Sequence, residues 1–413
     1  MQRSNKILSL NNMAVPLMII GTIAFSDIPV LCLGSQAIAS LVLFFKLLKG
    51  NITFRGEVKN YFLWALLYFV YVAFSCLWAS NRNVTAVMCT LSVAQGCLIG
   101  FIVLFLTETS EKIQHIISSI MVTGFIVSIR FFAQIPVSSW GNEMRFDDIP
   151  LFSSNTTAVF LAYAAGIIFY YYVLSYNHKK KSKKISYVFL IFMYIFVSVM
   201  MGTKKGLIVF GIIVFTTYVL RSNNLLKLTE RIFIGLIALY IVYYVVMNVD
   251  VFYRAIGYRF ERMYYQYFGI NGVVDGSTRE RTAFIQNALE VFIKHPIIGV
   301  GIDGFRYLNR IQFTYSHNNY TEMLANLGII GFVIYYSRYI KLLVASVKTI
   351  KTNQIIFAML VSMLIADYGT VSYSSELQFI FLGFIVAVTA LSKNEKKATY
   401  INSKPHIIQG GYS

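Results

Sequence analysis

Long apolar runs alternate with short polar segments along nearly the whole chain. A helix needs roughly 20 apolar residues to cross the hydrocarbon core of a bilayer. Twelve stretches approach or exceed that length, at about 8–26, 28–48, 61–79, 84–106, 113–135, 150–176, 185–202, 206–220, 231–249, 318–340, 354–369 and 374–391. The pattern predicts an all-α fold, a polytopic transmembrane helical bundle of about twelve spans. It divides the chain into helices 1–9 over 1–249, a large polar loop with short helices over 250–316, helices 10–12 over 317–391 and a polar tail over 392–413. The tail is expected to be loosely ordered. The first apolar run has no small-residue cleavage pattern and reads as a retained helix.

Composition agrees with this division. Hydrophobic residues make up 57% of the chain and charged residues 13%, against about 25% charged in a soluble domain. Too little polar surface is available to face water. The formal net charge is +18, which by itself suggests nucleic acid. The cations fall mostly in short connecting segments, however, where they set membrane orientation, so no nucleic-acid partner is expected. The run His178-Lys179-Lys180-Lys181-Ser182-Lys183-Lys184 fixes the middle of the chain on the cytoplasmic side, and an even number of spans puts both termini there. Cys32, Cys76, Cys89 and Cys97 lie inside apolar runs at spacings that suggest neither zinc nor disulfides.

The large loop breaks the charge rule. On the outer side of this topology it carries Arg254, Arg259, Arg262, Arg279, Arg281, Lys294, Arg306 and Arg310. Ser277-Thr278-Arg279-Glu280 reads as a capping box with Ser277 as N-cap. The helix it opens runs to about His295, where Pro296 stops it. Ile285, Ala288, Leu289 and Phe292 form its apolar face, with Arg281 at the head of that face and Arg279 pointing away. An arginine on a buried stripe needs an anionic partner; a structural ion pair or snorkelling to water would meet that need as well as a ligand. Gly299-Val300-Gly301-Ile302-Asp303-Gly304 matches a dinucleotide-binding pattern but lacks the surrounding βαβ unit, so it reads as a tight glycine turn.

His317 sits at or just before a helix N-terminus, beside Asn318, Asn319 and Glu322. Histidines at membrane interfaces are mostly ordinary polar residues; the company of this one makes it a candidate for proton transfer. Gly202-Thr203-Lys204-Lys205-Gly206 places two lysines in a short outer turn, where boundary cations are functional suspects. Arg145, in the loop before span six, belongs to a polar rim with Trp140, Asp147 and Asp148.

These residues resemble a known family. The stretch Arg281-x4-Gln286-Asn287-Ala288-Leu289, His295-Pro296-Ile297-Ile298-Gly299-Val300-Gly301, Phe305, His317-Asn318-x-Tyr320-x-Glu322 and Gly328-Ile329-Ile330-Gly331 is similar to the bacterial O-antigen polymerase and O-antigen ligase superfamily. Thr203-Lys204 resembles the Ser-Arg pair of that family, with lysine in place of arginine. Arg145 with Ser154-Asn155 loosely resembles an earlier signature. Asn326 stands where a second acidic residue is often found, so no carboxylate role carries over to that position.

The resemblance implies a glycosyltransferase in the inner (cytoplasmic) membrane that moves glycans off undecaprenyl diphosphate at the outer face, without a nucleotide sugar, cofactor or metal. A chain-length regulator and a flippase are the implied partners. In this reading His317 is the general base, since an unperturbed imidazole titrates near 6.5, and Arg281 is catalytic with it. Lys204, Arg279, Lys205 and Arg145 would hold the diphosphate, because cations form charge-assisted bonds to phosphate. Asn318 and Glu322 would orient His317 or bind sugar. Polymerisation of lipid-linked repeat units into O-antigen or capsule is the favoured activity. The alternative within the family is ligation of the finished glycan to lipid A–core. From another class, a transporter or flippase of lipid-linked sugars would show internal repeats and midplane polar residues, neither of which is evident.

Overall fold

A computed structural model describes residues 10–50, 56–79, 84–107, 109–137, 154–174, 181–269 and 276–402. Among the described residues every regular element is a helix. In order they are α1 (Leu10–Ala24), α2 (Pro29–Leu48), α3 (Gly56–Ser75), α4 (Val84–Leu106), α5 (Ser110–Gln134), α6 (Ser154–Ile168, continued as a π-turn over Phe169–Leu174), α7 (Lys181–Met200), α8 (Lys204–Leu220) and α9 (Leu225–Asn248). The large loop holds α10 (Asp250–Phe252), α11 (Tyr258–Phe268), α12 (Gly276–Lys294) and α13 (Phe305–Leu308), before α14 (Asn319–Lys348), α15 (Gln354–Asp367) and α16 (Glu376–Asn402).

Each of the twelve expected apolar runs is helical. Eight helices are long and apolar enough to cross a membrane, while α1, α8, α15 and the apolar part of α16 are shorter. The protein is therefore a polytopic, integral membrane protein. Much of α2, α3 and α9 turns large hydrophobic side chains outward, as lipid contact requires. The interior is filled by α4 against α16, α1 against α2 and α5, and α6 against α7 and α8. Buried Tyr61, Tyr68, Tyr335 and Tyr339 stack around Trp64 in the seam between α3 and α14. Two ion pairs pin helices together. Buried Arg338 meets partly buried Glu57 at 3.0 Å. Arg130 grips both oxygens of Asp27, at 3.0 and 2.9 Å, and holds that carboxyl below its ordinary range.

Three expectations are corrected. First, α16 runs on through polar residues to Asn402, where a loose tail was expected; Lys, Glu and Ala suit a helix, and no proline intervenes before Pro405. Second, α12 already includes Gly276, so Ser277 lies inside its first turn rather than at the cap. Third, the tenth span is not one helix. Gly328 has φ 63° and ψ −170°, which breaks α14 in two. Residues 17 apart in a straight helix would be about 25 Å apart, yet Asn319 Nδ2 donates to Tyr336 Oη at 2.8 Å and the rings of Tyr320 and Tyr336 stack at 5.1 Å. The two halves form a hairpin with Gly328 at its apex.

A broken helix leaves unpaired N–H and C=O groups, which must find partners where water is scarce. The glycine turn after α12 supplies them. Val300 N and Gly301 N donate to the carbonyls of Ala325 and Asn326, at 3.0 and 2.8 Å. Ile329 N and Ile330 N donate to the carbonyls of Pro296 and Ile297, at 2.9 and 3.3 Å. Tyr71 Oη donates to the Leu327 carbonyl at 2.8 Å. Two backbones this close leave no room for side chains. A Cβ at Gly299 would lie 2.4 Å from the Asn326 carbonyl, and one at Gly328 would lie 2.3 Å from the Ile297 oxygen. Both glycines also have positive φ.

Gly328→Ala is expected to combine left-handed strain with a backbone clash, costing about 3 kcal/mol or more. It should sharply lower the amount of folded protein in membranes and its melting temperature. Gly276→Ala, where nothing lies within 4 Å of the added carbon and φ is not positive, should leave both unchanged.

Candidate functional site

The hairpin of α14 begins at a strained residue. His317 has φ 59°, a left-handed conformation uncommon for a histidine. Asn318 follows as the N-cap: its Oδ1 accepts from Thr321 N at 3.1 Å, and its Nδ2 donates to the Tyr368 carbonyl at 3.1 Å. The imidazole of His317 is half-buried, 4.3 Å between centroids from the Tyr315 ring and 5.9 Å from Phe284 of α12.

Phe284 places Arg281. The buried face of α12 is Phe284, Asn287, Ala288 and Val291, whereas Leu289 is exposed. The expected stripe was thus rotated slightly from the real one, because α13 and the α14 hairpin, not periodicity alone, choose which side is covered. Arg281 heads the true face as well, one turn before Phe284, and is half-buried. Arg279 points into solvent. Arg145 lies outside the described residues.

Lys204 and Lys205 open α8. Gly202, at φ 65°, turns the chain before them, and Arg259 of α11 donates to its carbonyl. The Arg259 guanidinium also lies 5.5 Å from the Tyr258 ring. The Thr203 hydroxyl caps nothing at the helix start; it is buried and has no hydrogen-bond partner. Lys205 runs along the turn after α15: a carbon added at Gly369 would be 3.2 Å from its Cε and 3.9 Å from its Nζ. Gly369 follows Tyr368, the residue that holds Asn318. Lys205 and the His317–Asn318 step therefore meet at residues 368–369, and Phe284 of α12, one turn after Arg281, lies beside the His317 ring.

That turn is held by a buried polar network absent from the sequence reading. Asp367 accepts from Ser372 Oγ at 2.5 Å, Tyr336 Oη at 2.9 Å and Asn319 Nδ2 at 3.3 Å. Asn319 Oδ1 accepts from the backbone N–H groups of Ser372 and Tyr373 at 2.9 and 3.0 Å. The available signal was a carboxylate at the end of a short apolar run, which in a membrane protein calls for a reason. Arg259 was one of eight loop cations, and only its contact with the Gly202 turn distinguishes it.

Glu322 is buried and faces inward. It accepts from Ser316 N at 2.6 Å and from Asn326 Nδ2 at 2.9 Å, and Asn326 Oδ1 accepts from Phe305 N at 2.7 Å. These contacts draw the segment 302–316 onto α14 and set the position of His317. Asp303, also at positive φ, pairs with Arg306 at 3.1 Å; burial raises its carboxyl above the ordinary range and Arg306 opposes that shift. Lys205 beside Gly369, the N-cap Asn318 bonded to Tyr368 and the half-buried His317 imidazole thus lie close together at the start of α14. It suits an anionic substrate that must lose or gain a proton.

No curated protein matches the chain. A family model described as O-antigen ligase matches residues 189–336. The matched segment contains Lys204, Lys205, Arg259, Arg279, Arg281, His317, Asn318 and Glu322. Over that segment the chain is similar to the O-antigen ligase family.

Proposed function

We propose that the protein polymerises undecaprenyl-diphosphate-linked oligosaccharide repeat units into O-antigen or capsular polysaccharide at the outer face of the bacterial inner membrane. The observation that supports this reading is the approach of Lys205 and the His317–Asn318 step to residues 368–369, with Phe284 of α12, one turn after Arg281, beside the His317 ring. Transfer from a lipid diphosphate leaves negative charge on the departing group. Preorganised cations in a partly dry site stabilise that charge by a few kcal/mol each. Arg281 and Lys204 hold the diphosphate, and Lys205 and Arg259 line the same end of the bundle. His317 takes the proton from the acceptor hydroxyl as its oxygen attacks the anomeric carbon and the carbon–oxygen bond to the diphosphate breaks.

Both termini lie in the cytoplasm in this scheme, the loop of α10–α13 faces outward, and a flippase and a chain-length regulator act beside the enzyme. A second reading, ligation of the finished glycan to lipid A–core, is favoured by the description of the matching family as a ligase. Deletion distinguishes the two: loss of a polymerase leaves a single repeat on its lipid, and loss of a ligase leaves lipid A–core without polymer.

His317→Ala and Arg281→Ala should each abolish the polymer ladder at matched protein levels, with transfer reduced about 100-fold or more. Normal ladders from both variants would overturn the assignment. Asp367→Asn keeps one acceptor oxygen in place of two and leaves a buried donor unpaired, a cost of about 1–3 kcal/mol. It should shorten or weaken the ladder while protein levels stay near normal, whereas full activity would show that the turn 368–375 need not be fixed.

A further inference from the structure

Among the eight long apolar helices, α9 is the least covered by protein: only 6% of its most apolar stretch is buried. Its 24 residues rise about 36 Å, more than the roughly 30 Å of hydrocarbon, so the chain leaves α9 at a membrane boundary. It does not then run off into water. A Cβ at Gly257, in the turn before α11, would lie 2.7 Å from the Val246 carbonyl oxygen. Helix α11 therefore starts against the end of α9.

Between α8 and α9 is an apolar groove, lined among others by Leu207, Leu239 and Val246, and Phe260 of α11 also lines it. That contact fixes the rotation of α11. Tyr264 and Phe268 follow Phe260 at four-residue steps on the same face. They are 52% and 68% exposed, with ring centroids 4.6 Å apart. Arg259, Arg262 and Gln266 occupy the opposite face. Arg262 is exposed, 5.9 Å from the Tyr258 ring, and Arg259 donates to the Gly202 carbonyl. Glu261, the one carboxylate of α11, accepts from the hydroxyls of Tyr253 at 2.5 Å and Tyr265 at 2.9 Å.

A helix with exposed aromatic rings on one face and arginines on the other suits the plane where headgroups meet acyl chains. The aromatic face of α11 also continues the lipid-facing surface of α9. We infer that α11 is a membrane-surface anchor whose partner is the phospholipid of the surrounding bilayer. Tyr264 and Phe268 sit at the boundary between headgroups and acyl chains, and Arg262 faces the lipid phosphates. Because Arg259 is tied to the Gly202 carbonyl, the anchor also holds the turn before α8 at the level of the membrane surface. This goes beyond the transferase reading and does not depend on it.

The test places the photoreactive residue p-benzoylphenylalanine at position 264, 268 or 262 of the full chain. Each variant is irradiated in cell membranes and then purified, and its adducts are identified by mass spectrometry. Positions 264 and 268 should carry phospholipid adducts about tenfold or more above position 262. Equal phospholipid labelling at all three positions overturns the proposal, as do adducts at 264 and 268 that are mainly glycan or another protein. A second measurement needs no photoreactive residue. Tyr264→Asp combined with Phe268→Asp, in phospholipid nanodiscs, should speed amide hydrogen exchange about tenfold across 258–268 and in the turn 201–203, with exchange in α12 unchanged. Unchanged exchange across 258–268 also overturns the proposal. The photoreactive variants at 264 and 268 keep an aromatic side chain on that face, so they decide the matter if the aspartates unfold the protein.

Discussion

A helix cannot be broken inside a membrane protein unless something accepts and donates the hydrogen bonds that the break releases. Gly328 makes such a break, and the turn 296–301 repairs it by exchanging backbone hydrogen bonds with both sides of the gap. That exchange fixes more than the hairpin. Because the turn directly follows α12, its docking sets where α12 lies against α14, and so where Arg281 stands relative to His317. Because the chain from 302 to 318 must then return to the start of the hairpin, Glu322 and Asn326 hold its course through Ser316 and Phe305. The glycines at 299 and 328 are therefore conditions of the geometry at the candidate site, although neither carries chemistry.

The same reasoning explains the polar residues that no substrate needs to touch. Asp367 and Asn319 spend their hydrogen-bonding capacity on one another and on the turn 368–375. Helix α15 rises only about 21 Å over its 14 residues, less than the roughly 30 Å of hydrocarbon. Its far end and the turn after it thus stop short of a full crossing. A turn at that depth needs its backbone groups satisfied by protein, and Asn319 does this with a single side-chain oxygen. The outcome is a tethered turn that Lys205 and Asn318 approach from different helices. Rigid placement is what lets cations act on developing charge without first reorganising.

The twelve apolar runs, the interposed polar loop and the cluster from Arg281 to Gly331 could be read directly from the chain. Hydropathy and spacing are local quantities, and a bilayer imposes one requirement, apolar length, on every crossing segment. The ordered motif after α12 was recognisable for a related reason: tight backbone approach and a helix N-terminus demand particular residues at particular intervals. The hairpin was invisible because Gly328 interrupts no apolar run; its neighbours are as hydrophobic as those of an intact span. The face of α12 was misjudged by a fraction of a turn, since Ile285–Leu289–Phe292 and Phe284–Ala288–Val291 both follow a helical period and only the covering elements select between them. Asp367 and Arg259 stood out weakly because the meaning of each depends on a partner more than 50 residues away or, for Asp367, at Asn319 and Tyr336 across a folded-back helix.

Sequence by itself therefore determined the all-helical membrane architecture, the position of the large loop and the types of side chain assembled there, because each follows from the apolar or polar character of contiguous residues. Tertiary structure alone decided that one span folds back on itself, that α12 and the α15–α16 turn converge on its N-terminus, and that α8 and α9 leave an apolar groove between them. Those features depend on which backbone group finds which partner across the bundle, and a hydrogen bond between distant segments leaves no trace in the order of residues along either one.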